Sequence, residues 1–122
     1  MYRVVLREET AVKGRWETQL RKGVVELAVL AAIARGETYG YRIVEELRAL
    51  PGLELTESTV YPVLTRLAGE GLLAIRAEDS PTGPTRRYYR LTADGTRRLQ
   101  GMAAEWTRVT GSLKGLLEGG PQ

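Results

Sequence analysis

Apolar residues recur at spacings of three and four in three stretches in the first part of the chain, the spacing that places side chains on one face of an α-helix. Thr38 is a candidate N-cap for the second of these stretches, and either Thr56 or Ser58 is one for the third. Glycine and proline follow the apolar stretches at the points where helices commonly stop. The pattern predicts three helices, over residues 16–36, 38–51 and 58–69.

After Gly71 the apolar period falls to two, which is typical of β-strands. Leu73 begins one alternating stretch, and Tyr89 and Leu91 alternate in a second, so we assign these two side chains to the core. Residues 78–85 contain two prolines, which oppose regular strand pairing. The sequence therefore predicts a hairpin with a long tip.

A last helix is predicted after Thr92, a candidate N-cap, with Asp94 in its first turn. Its apolar residues alternate at spacings of four and three, which gives a narrow stripe that favours packing against a partner helix. Three glycines weaken this helix, so we expect it to depend on that partner. The stripe consists of Leu99, Met102, Trp106, Val109, Leu113 and Leu116.

Three helices followed by a hairpin is the order of a winged helix-turn-helix. The predicted fold class is therefore mainly α with a small β-hairpin, extended by a C-terminal helix. Residues 1–15 show no sustained period and are interpreted as an N-terminal arm. The other predicted segments are the winged helix (16–92), the C-terminal helix (93–117) and a tail (118–122).

Composition excludes most enzyme chemistries. The chain has neither histidine nor cysteine, so the usual general base, thiolate nucleophiles and common zinc ligands are absent. No glycine-rich phosphate loop or paired-acid motif is present, and we expect no enzyme activity, no metal and no cofactor. The longest apolar run, Leu27 to Ala34, is too short to span a bilayer, and no signal peptide precedes it. We expect a cytoplasmic protein with no membrane partner.

The outer face of the predicted third helix carries hydroxyl groups and no carboxylate. Such groups contact phosphates and base edges when a helix enters the major groove of double-stranded DNA. An ordinary solvated helix face is the alternative. The candidate residues are Ser58, Tyr61, Pro62 and Thr65, with Thr59 and Arg66 at the borders of the face.

Positive charge is concentrated locally although the net charge of the chain is only +3. Arg86, Arg87 and Arg90 cluster on the predicted hairpin, and arginine forms bidentate phosphate contacts. These cations are candidate phosphate ligands, or alternatively charges that protect an edge strand from aggregation. Tyr39 and Tyr41, near the start of the second helix, are candidates for a phosphate hydrogen bond or for packing.

Four stretches of the sequence together resemble the PadR family of bacterial transcriptional regulators. They are WETQLRKGVVELAVL (16–30), YGYRIVEEL (39–47), STVYPVLTRLAGEGLL (58–73) and GPTRRYYRLT (83–92). The resemblance implies a homodimeric winged-helix DNA-binding protein, usually a repressor. It also implies that the C-terminal helix, with the apolar stripe named above, supplies the dimer interface.

Trp106 matches a tryptophan that members of the smaller, drug-responsive branch of the family carry in the last helix. The resemblance implies that this residue faces its symmetry mate and binds a small aromatic effector between the two indole rings. Simple packing at the helix interface is the alternative.

The sequence thus favours a repressor that binds a pseudo-palindromic operator and is released by an aromatic ligand. The alternative is a winged-helix protein-interaction module that does not bind DNA. A hydrophobic outer face on the third helix would favour that alternative, and the hydroxyl groups there argue against it.

Overall fold

The computed structural model describes residues 6–119, with side chains from residue 14 onward. The fold is mainly helical with one small antiparallel sheet, which confirms the predicted fold class. Among the described residues, no helix is both long and apolar enough to cross a membrane. The helices are α1 (Leu6–Ala34), α2 (Gly40–Arg48), α3 (Glu57–Gly69) and α4 (Ala93–Leu117), and the strands are β1 (Thr38–Tyr39), β2 (Leu73–Ser80) and β3 (Gly83–Leu91).

One apolar core joins α1, α2 and α3, and the sheet closes it through Leu73 and Tyr89. Burial of a side chain of this size stabilises a fold by about 1.5–3 kcal/mol, whereas an exposed ion pair contributes about 0–1 kcal/mol. The core therefore dominates the packing of the three helices. Its fully buried members are Val29, Leu30, Ile33, Ile43, Val44, Val60, Leu64 and Leu67.

The first helix begins earlier than the sequence predicts. Residues 6–15, interpreted above as part of an arm, continue α1 toward the N-terminus. The arm was inferred because residues 1–15 show no apolar periodicity. A helix can continue without an apolar face, since its hydrogen bonds are made within its own backbone. Glu8, Glu9, Ala11 and Lys13 are also good helix formers. Residues 1–5 of the predicted arm and 120–122 of the predicted tail lie outside the described residues.

The sheet contains a strand that the sequence did not predict. Thr38 and Tyr39 form β1, which pairs with β3 so that Thr38 lies opposite Tyr89 and Tyr39 lies opposite Tyr88. Thr38 is therefore not the N-cap of α2, and Tyr39 occupies that position. A two-residue strand is too short to show a period, which explains why the pattern did not predict it.

The hairpin of β2 and β3, here called the wing (residues 73–91), has a short tip, and the prediction of a long one is wrong. The strands continue to Ser80 and from Gly83, so Pro81 lies in the connection. Pro84 lies beside an irregular register between Glu78 and Ser80. Proline is tolerated at a bulge because ladder hydrogen bonds are locally missing there.

A stack of aromatic rings and guanidinium groups joins β1 to the wing. The rings of Tyr39 and Tyr88 meet edge to face, with centroids 5.6 Å apart. Arg76 lies over the Tyr88 ring and Arg86 over the Tyr39 ring, each 4.7 Å from the centroid. Arg76 Nη2 also lies 3.0 Å from Glu37 Oε1, which ties the wing to the loop before β1.

The start of α4 is fixed to the turn between α3 and β2. The Thr92 hydroxyl accepts a hydrogen bond from the Gly95 amide at 3.0 Å, as predicted for an N-cap, and donates to the Gly71 carbonyl at 2.7 Å. The Leu72 carbonyl lies directly against Gly95, where a Cβ atom would clash with the oxygen. Only glycine permits this approach.

Gly95→Ala should destabilise the protein by about 2 kcal/mol or more, because the new methyl group meets a backbone carbonyl rather than a flexible side chain. Gly101→Ala is the matched control in the same helix, since its Cβ meets open space. The control should raise the free energy of unfolding by up to about 1 kcal/mol through helix propensity. Urea denaturation at one fixed protein concentration tests both, and equal effects would contradict the close approach.

The hydrogen bond from Arg76 holds the pKa of Glu37 below its ordinary value of 4.5. A carboxyl whose pKa is lowered on folding contributes stability above its unfolded pKa and loses that contribution as the pH falls through the folded value. Glu37→Gln should therefore be less stable than the parent protein at pH 7, with the difference shrinking below pH 4.5.

Thermal denaturation from pH 7 to pH 3 measures this difference. Glu45→Gln on α2 is the control, because Glu45 has no side-chain ion pair among the described residues. A Glu37→Gln profile that parallels the parent at every pH would show that the ion pair does not contribute.

Candidate nucleic-acid interface

A groove of about 940 Å³ lies between α3 and the wing, with the start of α2 at one end. The groove collects predicted residues from three separate parts of the sequence. Its wall on α3 carries hydroxyl groups, and its wall on the wing carries guanidinium groups. The predicted residues that line it are Tyr39, Tyr41, Tyr61, Thr65, Arg86 and Arg87.

The outward face of α3 follows from the burial of its other face. Val60, Leu64 and Leu67 are fully buried, so the side of α3 opposite them turns to solvent. Ser58, Tyr61, Pro62 and Thr65 are accordingly exposed, and Thr59 is half-buried at the border of the face.

Two side chains give α3 its polar surface inside the groove. The Thr65 hydroxyl donates to the carbonyl of Tyr61 at 3.1 Å, which leaves the Thr65 oxygen free to accept a hydrogen bond. Burial raises the pKa of the Tyr61 phenol, and the neighbouring Glu57, Tyr89 and Tyr41 raise it further. The phenol therefore stays protonated at neutral pH and is a hydrogen-bond donor.

Arg86 and Arg87 line the groove from opposite faces of the wing. Arg87 lies opposite Ala77 and shares a face of the wing with Tyr89, which turns toward the core. Arg86 lies on the other face but stacks on Tyr39 at the edge of the groove. A hydrogen bond with Tyr88 and the nearby Tyr39 raise the pKa of Arg86, which favours the charged form of its guanidinium group.

Five predicted contact residues do not line the groove: Ser58, Thr59 and Pro62 on α3, and Arg66 and Arg90. Arg90 shares the face of Tyr88, opposite Ala74, and does not line the groove. Arg66 forms ion pairs with Glu26 of α1 at 3.0 Å and with Glu70 at 3.2 Å. These carboxylates raise the pKa of Arg66 and engage its guanidinium group within the protein.

The prediction from sequence missed Gly40, which lines the groove at the first position of α2. A Cβ atom at Gly40 would stand 2.7 Å from Cε1 of Tyr61, so the two residues are in close contact. The sequence contained one signal, a glycine between two tyrosines at the start of a helix. Such a glycine indicates that another group approaches the backbone closely, but it does not identify that group.

The predicted stripe on α4 divides into two parts. Leu99 and Met102 are half-buried against the core. Farther along the helix Trp106, Val109 and Leu113 are about half exposed and Leu116 is 71% exposed. A row of large exposed apolar side chains is typical of an interaction surface.

Comparison with known proteins confirms the resemblance found in the sequence. Residues 29–101, more than half of the chain, match the family described as the transcriptional regulator PadR-like family. A PadR family transcriptional regulator of Eggerthella lenta is 31% identical, with a TM-score of 0.79, over 93% of this chain and 98% of the other. A Streptococcus transcriptional regulator is 34% identical, with a TM-score of 0.70, over 80% of this chain and 96% of the other.

The structure of Bacillus subtilis PadR in complex with operator DNA is also similar. The two chains are 28% identical, with a TM-score of 0.61, over 66% of this chain and 47% of that chain. The shared arrangement of helices and wing, together with the match over residues 29–101, shows that the chain belongs to the PadR-like family of transcriptional regulators.

Proposed function

We propose that the protein is a homodimeric, DNA-binding transcriptional repressor that acts in the cytoplasm on a pseudo-palindromic operator. The observation that carries the proposal is the groove between α3 and the wing, which combines hydroxyl groups with two arginines. The operator complex of Bacillus subtilis PadR supports the assignment of double-stranded DNA as the partner.

The two walls of the groove have different roles in the proposal. The phenol of Tyr61 and the hydroxyl of Thr65, with Ser58 and Thr59 at the start of α3, contact base edges in the major groove. The guanidinium groups of Arg86 and Arg87 contact phosphates on the flanking backbone. Base contacts supply sequence preference, and phosphate contacts supply affinity that depends on salt.

The dimer is proposed from the exposed stripe on α4. Trp106, Val109, Leu113 and Leu116 would be covered by the same stripe of a second copy, as expected for a twofold-symmetric interface. Two α3 helices related by this symmetry would enter successive major grooves about 34 Å apart.

The release mechanism is proposed from the position of Trp106 within that stripe. Trp106 is 47% exposed, and two symmetry-related indoles could stack on both faces of one planar aromatic molecule. Binding would shift the dimer equilibrium only if the ligand prefers one arrangement of the two copies.

Arg87→Ala should weaken binding to every DNA sequence and reduce the slope of log affinity against log salt by about one for each phosphate that the protein no longer neutralises. Arg90→Ala removes the same charge from the other face of the wing and is the matched control. Fluorescence anisotropy with a labelled duplex over a range of potassium chloride concentrations measures both slopes.

The proposal expects a steep salt dependence for the parent protein. It would be overturned if the parent bound no duplex at low salt. Equal reductions of slope in the two variants would instead show that the contact to phosphate is not made through the groove.

Planar aromatic cations should quench the tryptophan fluorescence of the dimer through Trp106. Proflavine is a suitable probe, and Trp106→Ala should abolish saturable quenching. Trp16→Phe, which removes the other tryptophan of the chain, should keep it. Sedimentation equilibrium tests whether the parent and both variants are dimers. Quenching that survives in Trp106→Ala would place the ligand elsewhere.

A further inference from the structure

Gly40 is buried at the first position of α2, where its backbone conformation does not require glycine. It is absent from the residues with a positive φ, unlike Gly36, Gly52 and Gly71. Any other residue could therefore adopt the backbone geometry of this position. The requirement for glycine comes from what lies against it.

The neighbour is the ring of Tyr61 on α3. A Cβ atom at Gly40 would stand 2.7 Å from Cε1, 3.4 Å from the hydroxyl oxygen and 3.5 Å from Cζ. One edge of the ring, from Cε1 to the hydroxyl group, thus lies along the first turn of α2. A methyl group at this position would force the ring to move.

The other surroundings of Tyr61 restrict where the ring can go. Tyr61 is only 37% exposed, and Glu57, Tyr89 and Tyr41 are near enough to raise the pKa of its phenol. Tyr41 and Tyr89 line the same groove. A ring displaced from Gly40 must therefore move toward these side chains or out into solvent.

We propose that Gly40 is a positioning residue for sequence recognition, because its missing side chain lets the Tyr61 ring lie against α2 and fixes the phenol in the groove. This inference rests on the proposed DNA-binding function. Tyr61 contacts the base, and Gly40 acts only through Tyr61. The start of α2 thereby determines what the exposed face of α3 presents.

Helix propensity predicts how Gly40→Ala alone would affect the stability of α2. Alanine is a better helix former than glycine, so Gly40→Ala without the contact would leave α2 intact or strengthen it. A loss of sequence preference in this variant therefore points to Tyr61. Gly69→Ala is the matched control on α3 itself, since a Cβ at that position meets nothing within 4 Å.

The experiment begins with a duplex selected by the parent protein from a random-sequence library, and compares it with a scrambled duplex of equal length. Gly40→Ala should reduce the ratio of the two affinities about tenfold, the effect of removing one interaction with a base. Tyr61→Ala should reduce the ratio to a similar extent. The double variant should be no worse than Tyr61→Ala alone, and Gly69→Ala should keep the parent ratio.

A spectroscopic measurement follows the ring without DNA. In protein labelled with ¹³C at tyrosine Cζ, the pKa of Tyr61 should fall toward its ordinary value of 10.0 in Gly40→Ala, because the ring leaves its partly buried site. Gly69→Ala should leave that titration unchanged. If Gly40→Ala lowers thermal stability, Tyr61→Ala in the same chain should restore it by removing the clash.

The outcomes separate this inference from the proposed function. An unchanged pKa of Tyr61, or a preserved affinity ratio in Gly40→Ala, would overturn the positioning role. A parent protein that selects no sequence from the library would overturn the DNA-binding proposal, while the titration would still report whether Gly40 holds the ring.

Discussion

The carboxylate of Glu26 connects three helices at one point. Its two oxygens pair with different guanidinium groups, Oε1 with Arg66 of α3 at 3.0 Å and Oε2 with Arg98 of α4 at 2.9 Å. The Glu26 side chain is only 15% exposed, so a carboxylate placed there without these partners would be costly. Glu26 therefore helps to set the orientation of α3 and α4 relative to α1, in addition to the apolar core.

This connection has a consequence for the proposed dimer. The surface proposed to read DNA lies on α3, the surface proposed to join two copies lies on α4, and both helices are held to α1 through Glu26. The contact of Gly95 with the Leu72 carbonyl fixes α4 a second time, beside the end of α3. In the proposed dimer, the distance between the two α3 helices would then be set by how the α4 helices associate. A ligand at Trp106 could therefore change the separation of the α3 helices without touching the groove.

The elements that could be predicted from the sequence are those with a periodic pattern of apolar residues. The helices and the order of a winged helix follow from apolar spacing, and the hydroxyl face of α3 follows from the burial of Val60, Leu64 and Leu67. Contacts between distant residues could not be predicted in this way. Arg66 has a partner 40 residues away, and the period of α3 does not reveal whether its charge faces DNA or Glu26. The two-residue strand β1 and the contact of Gly40 with Tyr61 are likewise tertiary features.

The ion pairs also change the expected balance of affinity and specificity. Of the four arginines assigned to DNA contact from the sequence, Arg66 pairs within the protein and Arg90 lies off the groove, which leaves Arg86 and Arg87. Each phosphate neutralised on duplex DNA contributes a slope of about 0.9 in log affinity against log salt. With two such arginines per copy instead of four, electrostatic contacts would contribute less to the DNA affinity of the proposed dimer than the sequence alone suggests. Discrimination among sequences would then depend mainly on the hydroxyl groups of α3 and on how firmly the fold holds them.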